Sequence, residues 1–253
     1  MHYRIIIALI LSIIICSCSE NNPTQQNDKK ATTNSQQKKN IEDEKSHTNK
    51  KPLEEEKQDI QTKNLLDKNT FQIDTLDLVL GNREAEVILI EYSSPTCPHC
   101  SYFHKEVLPK LKEKYLDTGK IAYVLREFVT NKQDLDAAML GRCYKNKEDP
   151  LKLLNLLYIQ QDSWAFNKNY REILINLGGL AGVSREEYMK CMGRKEIVDF
   201  LLKHAKSIST YPGFIGTPAF FINGEMHKGV YSFEGLSKVI DQKLDSVATK
   251  EVK

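Results

Sequence analysis

The stretch SPTCPHCSYF, residues 94–103, determines how the rest of the chain is interpreted. It contains two cysteines, Cys97 and Cys100, with Pro98 and His99 between them. Such a pair is compatible with half of a zinc site, with an accidental spacing or with a reversible disulfide. The sequence on either side of the pair has to decide among these three interpretations.

A β-strand is predicted immediately before the cysteine pair. Residues 86–92, EVILIEY, are almost continuously apolar and rich in β-branched side chains, which is typical of a strand covered on both faces. A helical pattern then runs from Cys97 to near Gly119, and Pro109 is expected to kink it. Residues 121–128 predict a second strand. Together these elements predict a right-handed βαβ unit with parallel strands.

The remainder of the chain predicts a helical block and a closing hairpin. Residues from about 132 to 207 carry several helix patterns and no good strand, and Ser184 and Glu187 have the spacing of a capping box. In the segment 217–230, Asn-Gly separates two short strand patterns, which is the strongest short-range signal for a hairpin. A final helix is predicted for 233–247. The predicted order is therefore βαβ, a helical insertion, and ββα.

The N-terminus predicts export. Residues 1–19 combine an early arginine with a mainly apolar run that is shorter than the about 20 residues needed to span a bilayer, which favours an export signal. Within this segment, ICSC at 15–18 resembles a bacterial lipoprotein box in which Cys18 would be lipidated, although Cys16 departs from the usual pattern. Lipidation at Cys18 and ordinary cleavage near Ser19 are both open. The expected location is the periplasm, with or without a lipid anchor in the membrane.

Residues 20–70 predict a disordered spacer. Asn, Gln, Lys, Glu, Ser and Thr dominate this segment, and no aromatic residue occurs between Tyr3 and Phe71. A segment of this composition cannot bury enough apolar surface to offset its conformational entropy. The folded domain is therefore expected at 71–248, with the helical insertion inside it.

Composition supports one folded domain and argues against a nucleic-acid-binding protein. The chain has 253 residues, of which 40% are hydrophobic, enough for a core. Its formal net charge is only +2, and lysine and glutamate are intermixed along most of its length. No basic stripe is present that would follow a phosphate backbone.

The predicted order, the CPHC stretch and the Thr-Pro pair that opens the hairpin together resemble the thioredoxin fold of DsbA-type disulfide oxidoreductases. The resemblance covers roughly 71–248. Its most specific part is Cys97–Cys100, because Pro-His between the cysteines is typical of DsbA-like enzymes whereas thioredoxins usually carry Gly-Pro. Glu91 lies where relatives place a buried acid, and Thr217-Pro218 matches the family's cis-proline site. One departure is His104, where the best-known relatives have a glutamate.

The resemblance implies an α/β protein of the thioredoxin fold that donates its Cys97–Cys100 disulfide to reduced exported proteins. Cys97 would be the attacked and leaving sulfur, Cys100 the resolving one, His99 a group that favours the thiolate, and Glu91 a proton partner of Cys100. A helix that begins at Cys97 would stabilise a thiolate there. The attacking cysteine has a pKa of about 3.5 in DsbA and about 7 in thioredoxin. The lower pKa stabilises the reduced pair and so favours donation of the disulfide. A thioredoxin-like reductase or a disulfide isomerase in the same compartment is the alternative.

The resemblance also implies roles outside the cysteine pair. Thr217 and Pro218, joined by a cis bond, would bind the substrate chain. Some relatives have a disulfide in the helical domain, which implies a bridge between Cys143 and Cys191; the alternative is two buried free thiols. A quinone-linked membrane oxidase is the expected partner for reoxidation, and no cofactor is expected.

Two other classes of protein remain as rivals. A zinc-binding module could draw ligands from Cys97, Cys100 and His104, but no second CxxC and no HxxxH supplies a fourth ligand at related spacing. No metal site is therefore expected. A purely structural surface lipoprotein would be compatible with the disordered spacer at 20–70, but it would leave CPHC at a helix start unexplained.

Overall fold

A mixed five-stranded β-sheet forms the centre of the computed structural model, which describes residues 70–146 and 149–251. The predicted export signal at 1–19, with Cys18, and all but the last residue of the predicted spacer lie outside the described residues. The strand order is β1-β3-β2-β4-β5, with β2 and β3 parallel and the other neighbours antiparallel. The strands are β1 Leu78–Gly81, β2 Ile88–Ser93, β3 Ala122–Glu127, β4 Ala219–Ile222 and β5 Glu225–Met226.

The helices follow the predicted order of βαβ, a helical block, and ββα, which is confirmed. In chain order they are α1 Pro98–Tyr102, α2 Leu108–Leu111, α3 Lys132–Cys143, α4 Lys152–Ile159, α5 Gln161–Trp164, α6 Tyr170–Leu180, α7 Arg185–Cys191, α8 Lys195–Ser209 and α9 Phe233–Glu251, with π-helical segments at Phe103–Val107 and Lys112–Leu116. Among the described residues, no helix is both long enough and apolar enough to cross a membrane.

The helical segment that follows the cysteine pair becomes irregular next to Pro109. Proline has no N–H, so a carbonyl one turn earlier loses its hydrogen-bond donor. A π-helical turn lies directly before this point, and the N–H of Leu108 donates to the carbonyl of Phe103, five residues back. Such π-turns are a recognised way of accommodating an interrupted helix ladder.

Strand β2 is covered on both faces of the sheet, as its continuous apolar run predicts. Leu89 belongs to the main core together with Phe103 and Leu125. Ile90 and Tyr92 belong to a second apolar cluster on the opposite face. Because successive side chains of a strand point to opposite faces, a strand buried on both sides needs apolar residues at consecutive positions. This strand leads the chain from the middle of the sheet to the cysteine pair.

Two local signals in the sequence are confirmed as turns and caps. Asn223 and Gly224 have φ values of +49° and +81°, as a type I′ hairpin turn requires. The side chain of Asn223 also accepts a hydrogen bond from Ile88 N at 2.7 Å, which ties the hairpin to β2. Ser184 and Glu187 form the reciprocal hydrogen bonds of a capping box at the start of α7.

Three elements were not individually predicted, namely β1, α5 and α8. Strand β1 has only four residues and ends at Gly81, which is too short to show a clear periodicity. It pairs antiparallel with β3 and extends the sheet beyond the predicted hairpin and βαβ unit. Helix α8 follows α7, the helix whose start the capping box predicts. Ile208 near the end of α8 packs in the same cluster as Ile90 and Tyr92. The chain therefore returns to the sheet before it enters the hairpin.

Candidate active site

Cys97 and Cys100 lie at the start of the helix that follows β2. Cys97 is the N-cap residue of α1 and has an extended backbone conformation, and Pro98 is the first residue of the helix. Proline suits this place because its missing N–H is one that the first turn leaves unpaired. Cys97 is half-buried and Cys100 is buried, and both thiols are free.

The surroundings of Cys97 favour the thiolate. A hydrogen bond from the Cys100 thiol is the largest cause that lowers the pKa of Cys97, to about 5, and partial burial opposes it. The backbone N–H groups of Cys100 and His99 and the side chain of Thr217 also lower this pKa. The N–H groups belong to the first helical turn, where unpaired donors and the positive end of the helix dipole stabilise an anion.

Cys100 has the opposite tendency. Burial raises the pKa of Cys100, and hydrogen bonding to Cys97 and the charge of Glu91 raise it further. Two adjacent thiols therefore differ strongly in acidity, and near neutral pH the reduced pair holds one thiolate, on the more accessible sulfur. In thiol–disulfide exchange a thiol of lower pKa leaves faster.

The loop before β4 faces Cys97. The Thr217–Pro218 peptide bond is cis, and the carbonyl oxygen of Thr217 lies 3.3 Å from Cys97 Sγ. A groove of about 430 Å³ continues from Pro218 along the hairpin. Its lining is largely apolar and includes Ile215, which is 98% exposed, and Tyr231. The thiol that is easier to reach is therefore next to an open apolar surface.

Glu91 is fully buried on β2 and forms part of a polar cluster within the core. The hydroxyl of Tyr123 donates a hydrogen bond to Glu91 Oε2. His104 Nε2 lies 3.3 Å from the same oxygen, without the alignment of a hydrogen bond. The other ring nitrogen of His104 lies 2.7 Å from Asn155 Oδ1. Because an amide oxygen only accepts, this contact places the ring hydrogen on Nδ1 and directs the Nε2 side of the ring to the carboxyl group.

The same cluster extends to Cys100 through Tyr158 and Ser93. The His104 ring stacks on Tyr158 with a centroid distance of 3.8 Å. The Tyr158 hydroxyl donates to Ser93 Oγ at 2.8 Å, and a hydrogen bond with the Ser93 side chain lowers the pKa of Cys100 against the larger effect of burial. The buried thiol thus lies among groups that can carry a proton.

Comparison with known proteins places this site in a family. Residues 73–242 match the sequence family described as thioredoxin. Proteins of Rickettsia conorii and Rickettsia prowazekii, whose names describe them as protein-disulfide oxidoreductases, are 47% and 46% identical over 183 and 185 residues. These matches cover 72% and 73% of this chain, and 66% and 68% of the two relatives. The chain belongs to the DsbA-type oxidoreductases of the thioredoxin family.

A solved structure supports the same assignment. The crystal structure of alpha-DsbA1 from Wolbachia pipientis is 31% identical, has a TM-score of 0.66, and aligns with 71% of this chain and 96% of that one. The thioredoxin fold expected from the sequence is therefore confirmed. The chain spans about two thirds of the length of the two Rickettsia relatives.

Within this DsbA-type site, His99 acts on Cys97 through its backbone. Its N–H is one of the groups that lower the pKa of Cys97. The His99 ring is exposed, and its Nδ1 lies 3.1 Å from the hydroxyl of Tyr231. The ring therefore borders the groove beside Pro218, which Tyr231 lines.

The two other cysteines of the described ranges are bonded to each other. Cys143 and Cys191 form a disulfide with a Cα–Cα distance of 5.8 Å, which joins the ends of α3 and α7. No group of three or more His, Cys, Asp and Glu side chains among the described residues is arranged to hold a metal ion.

Sequence reasoning missed most of the residues that surround the two cysteines. The sequence marks His104 as a departure from the family pattern and as a possible zinc ligand, and it does not indicate the contact with Glu91. Ser93 directly precedes the loop into Cys97 but carries no motif of its own. The others come from distant parts of the chain, and no spacing rule connects them to CPHC: Tyr123, Asp134, Asn155, Tyr158, Gln161 and Tyr231. One partial signal exists, because Asn131 and Asp134 have the spacing of a helix N-cap. That signal predicts the start of α3 and gives no information on what the carboxylate contacts.

The low pKa of Cys97 can be measured directly. In the reduced protein, the ultraviolet absorbance of the thiolate should rise with a midpoint at a pH of about 5. Cys97→Ser should remove this transition without creating another below neutral pH, because burial raises the pKa of Cys100. A wild-type midpoint at or above about 7, the value of thioredoxin, would contradict the geometry described for the first helical turn.

Proposed function

We propose that this protein is a periplasmic oxidoreductase that donates the Cys97–Cys100 disulfide to reduced exported proteins. The observation that supports the proposal most is the difference between the two thiols, one half-buried with a pKa near 5 and one buried with a raised pKa. Stabilising the thiolate favours the reduced pair, and a pair that is stable when reduced is a strong oxidant. The periplasmic location is inferred from the export signal at 1–19.

The first chemical step is attack on Cys97. A thiolate of the client protein attacks Cys97 Sγ in the oxidised pair, a client–Cys97 disulfide forms, and the Cys97–Cys100 bond breaks. The bonding electrons leave with Cys100, which takes up one proton. Cys97 is the accessible sulfur, and this order of events avoids an attack on a buried atom.

The second step releases the product. A second thiolate of the client attacks the client sulfur of the mixed disulfide, the client disulfide forms, and Cys97 leaves as a thiolate. Two electrons have then passed from the client to the pair, which ends as a Cys97 thiolate and a Cys100 thiol. A leaving thiol of low pKa leaves faster, so the first helical turn accelerates this step.

Glu91 is proposed as the proton partner of Cys100. It is buried, its charge acts on Cys100, and its Oε1 has no hydrogen-bond partner in the described part of the chain. Together with His104 it would give a proton to Cys100 when Cys100 leaves, and take the proton back when Cys100 attacks during reoxidation. One proton thus passes to Cys100 during client oxidation, and one proton returns during reoxidation.

Thr217 and Pro218 are proposed to bind the client chain. The backbone of Thr217 faces Cys97 and can pair with an extended segment, as in strand addition. Apolar client side chains would then lie in the groove that continues from Pro218. Reoxidation is assigned to a quinone-linked membrane oxidase, and lipidation of Cys18 would hold the protein at the membrane where such a partner is found.

The function can be tested with a reduced secreted protein whose disulfides are known. One equivalent of the oxidised wild-type protein should convert two client thiols to a disulfide. Cys97→Ser and Cys100→Ser should both abolish this reaction, because neither variant can form the Cys97–Cys100 disulfide. Cys100→Ser that carries glutathione in a disulfide with Cys97 should still form a client–Cys97 mixed disulfide, with glutathione as the leaving thiol. Wild-type activity in Cys97→Ser would contradict the assignment. Failure of the wild type to oxidise the client, combined with rapid reduction of disulfides, would favour the thioredoxin-like alternative.

The role of Glu91 predicts a separate kinetic effect. Glu91→Gln keeps the size of the side chain but cannot exchange a proton, so the attack of a small thiol such as glutathione on the oxidised pair should slow by on the order of 100-fold. Stopped-flow kinetics measures this rate. Asp136→Asn is the matched control, because Asp136 is also fully buried but bonds Tyr170 and Arg171. Equal rates for wild type and Glu91→Gln would exclude a proton role.

A further inference from the structure

The loop that leads into Cys97 is held by side chains of the helical insertion. This loop comprises residues 94–97 and connects β2 to α1. Asp134 of α3 and Gln161 of α5 contact it, and the side chains of both are buried. They lie 40 and 66 residues along the chain from their first partners in the loop, Ser94 and Pro95.

Asp134 binds the loop through one oxygen of its carboxylate. Oδ1 accepts hydrogen bonds from Ser94 Oγ at 2.8 Å, from Thr96 N at 2.9 Å and from Thr96 Oγ1 at 2.8 Å. Oδ2 accepts from Thr130 N at 3.0 Å and from Thr130 Oγ1 at 2.7 Å. A buried carboxylate with this many donors is well compensated, and bonds to a charged acceptor are stronger than neutral ones. Three of the five bonds fix Ser94 and Thr96, the two residues with polar side chains in the loop before Cys97.

Gln161 binds the backbone of the same loop. Its Nε2 donates to the carbonyl of Pro95 at 2.8 Å and to the carbonyl of Cys97 at 2.9 Å. A side-chain amide nitrogen has two hydrogens, so one group serves both carbonyls. Asp134 therefore fixes side chains and one N–H of the loop, while Gln161 fixes its carbonyl groups.

The element that carries Asp134 is itself anchored. The Asp134 N–H donates to Asn131 Oδ1 at 2.8 Å, which caps α3. At the other end of α3, Arg142 forms two hydrogen bonds with the buried Glu127 of β3, at 2.8 and 2.6 Å. The Cys143–Cys191 disulfide follows directly. The carboxylate therefore has little freedom to follow the loop if the loop moves.

We propose that Asp134 and Gln161 are positioning residues that fix residues 94–97 so that the first-turn N–H groups of α1 point at Cys97 Sγ. The positioning itself does not depend on the proposed function. Its effect on activity does, because a more stable thiolate makes the disulfide a stronger oxidant. The helical insertion is then part of the redox centre, in addition to any part it has in binding clients.

Charge and geometry predict opposite effects for the loss of Asp134. A negative charge near Cys97 disfavours the thiolate, so removal of the charge alone would lower the pKa of Cys97. Removal of the positioning contacts would loosen the first helical turn and raise that pKa. The largest effects on the pKa of Cys97 come from Cys100, burial, Thr217 and His99, and all of these depend on where the loop holds the sulfur. The positioning effect should therefore dominate.

The test is thiolate titration of Asp134→Asn in the full reduced protein. The amide keeps the shape but turns one acceptor into a donor that faces hydroxyl and N–H groups. We expect the midpoint of Cys97 to rise by about one pH unit, a tenfold change in proton affinity. Asp136→Asn is the matched control: it lies on the same helix and bonds Tyr170, Arg171 and Lys132, so its midpoint should stay at the wild-type value. A lowered or unchanged midpoint in Asp134→Asn would overturn the proposal.

Gln161→Met is a second, independent variant, which keeps the proposal testable if Asp134→Asn does not fold. It leaves the Pro95 carbonyl without its donor and preserves all carboxylates, so a raised midpoint cannot be attributed to charge. An unchanged midpoint in a folded Gln161→Met protein would contradict the role of Gln161. Titration requires no client: raised midpoints in a protein that oxidises nothing would support positioning and reject the proposed function.

Discussion

The chemistry of the site depends on one interaction, the stabilisation of a negatively charged sulfur at the start of α1. Hydrogen bonding by the Cys100 thiol and by N–H groups of the first helical turn lowers the pKa of Cys97. These donors are available only because the helix begins at this residue, directly after the buried strand β2. The sheet, the cis-proline loop and the helical insertion all meet here, and each constrains the position of this sulfur.

The fold could be predicted where a local signal has a single structural meaning. Asn-Gly between apolar runs requires positive φ at two positions, and Ser184 with Glu187 satisfies two N–H groups reciprocally, so both were read correctly. Strand β1 was missed because four residues give no measurable period and because its partner, β3, lies more than forty residues later. Local patterns decide whether an element exists, and they do not decide which distant element it pairs with.

The candidate site shows the same division. Pro98 and the CxxC spacing predict a helix start and two adjacent sulfurs, and the structure has both. The two thiols are unequal because of their different burial, because of Glu91 and Ser93 on β2, and because of Thr217 in the cis-proline loop. The pairing of His104 with Glu91 depends on the register of that segment relative to β2, which no single sequence pattern sets. The sequence alone therefore locates the reactive cysteines, but the contacts that set their different acidities are visible only in the tertiary structure.

The most direct test of the account is the redox equilibrium of the Cys97–Cys100 pair with glutathione. Stabilisation of the Cys97 thiolate favours the reduced pair, so the account predicts a potential far above that of thioredoxin, about −270 mV, and near that of DsbA, about −120 mV. The fraction of reduced protein in buffers of defined glutathione ratio gives this value. A potential near −270 mV would show that the thiolate environment does not make the pair a disulfide donor, and would contradict the central claim.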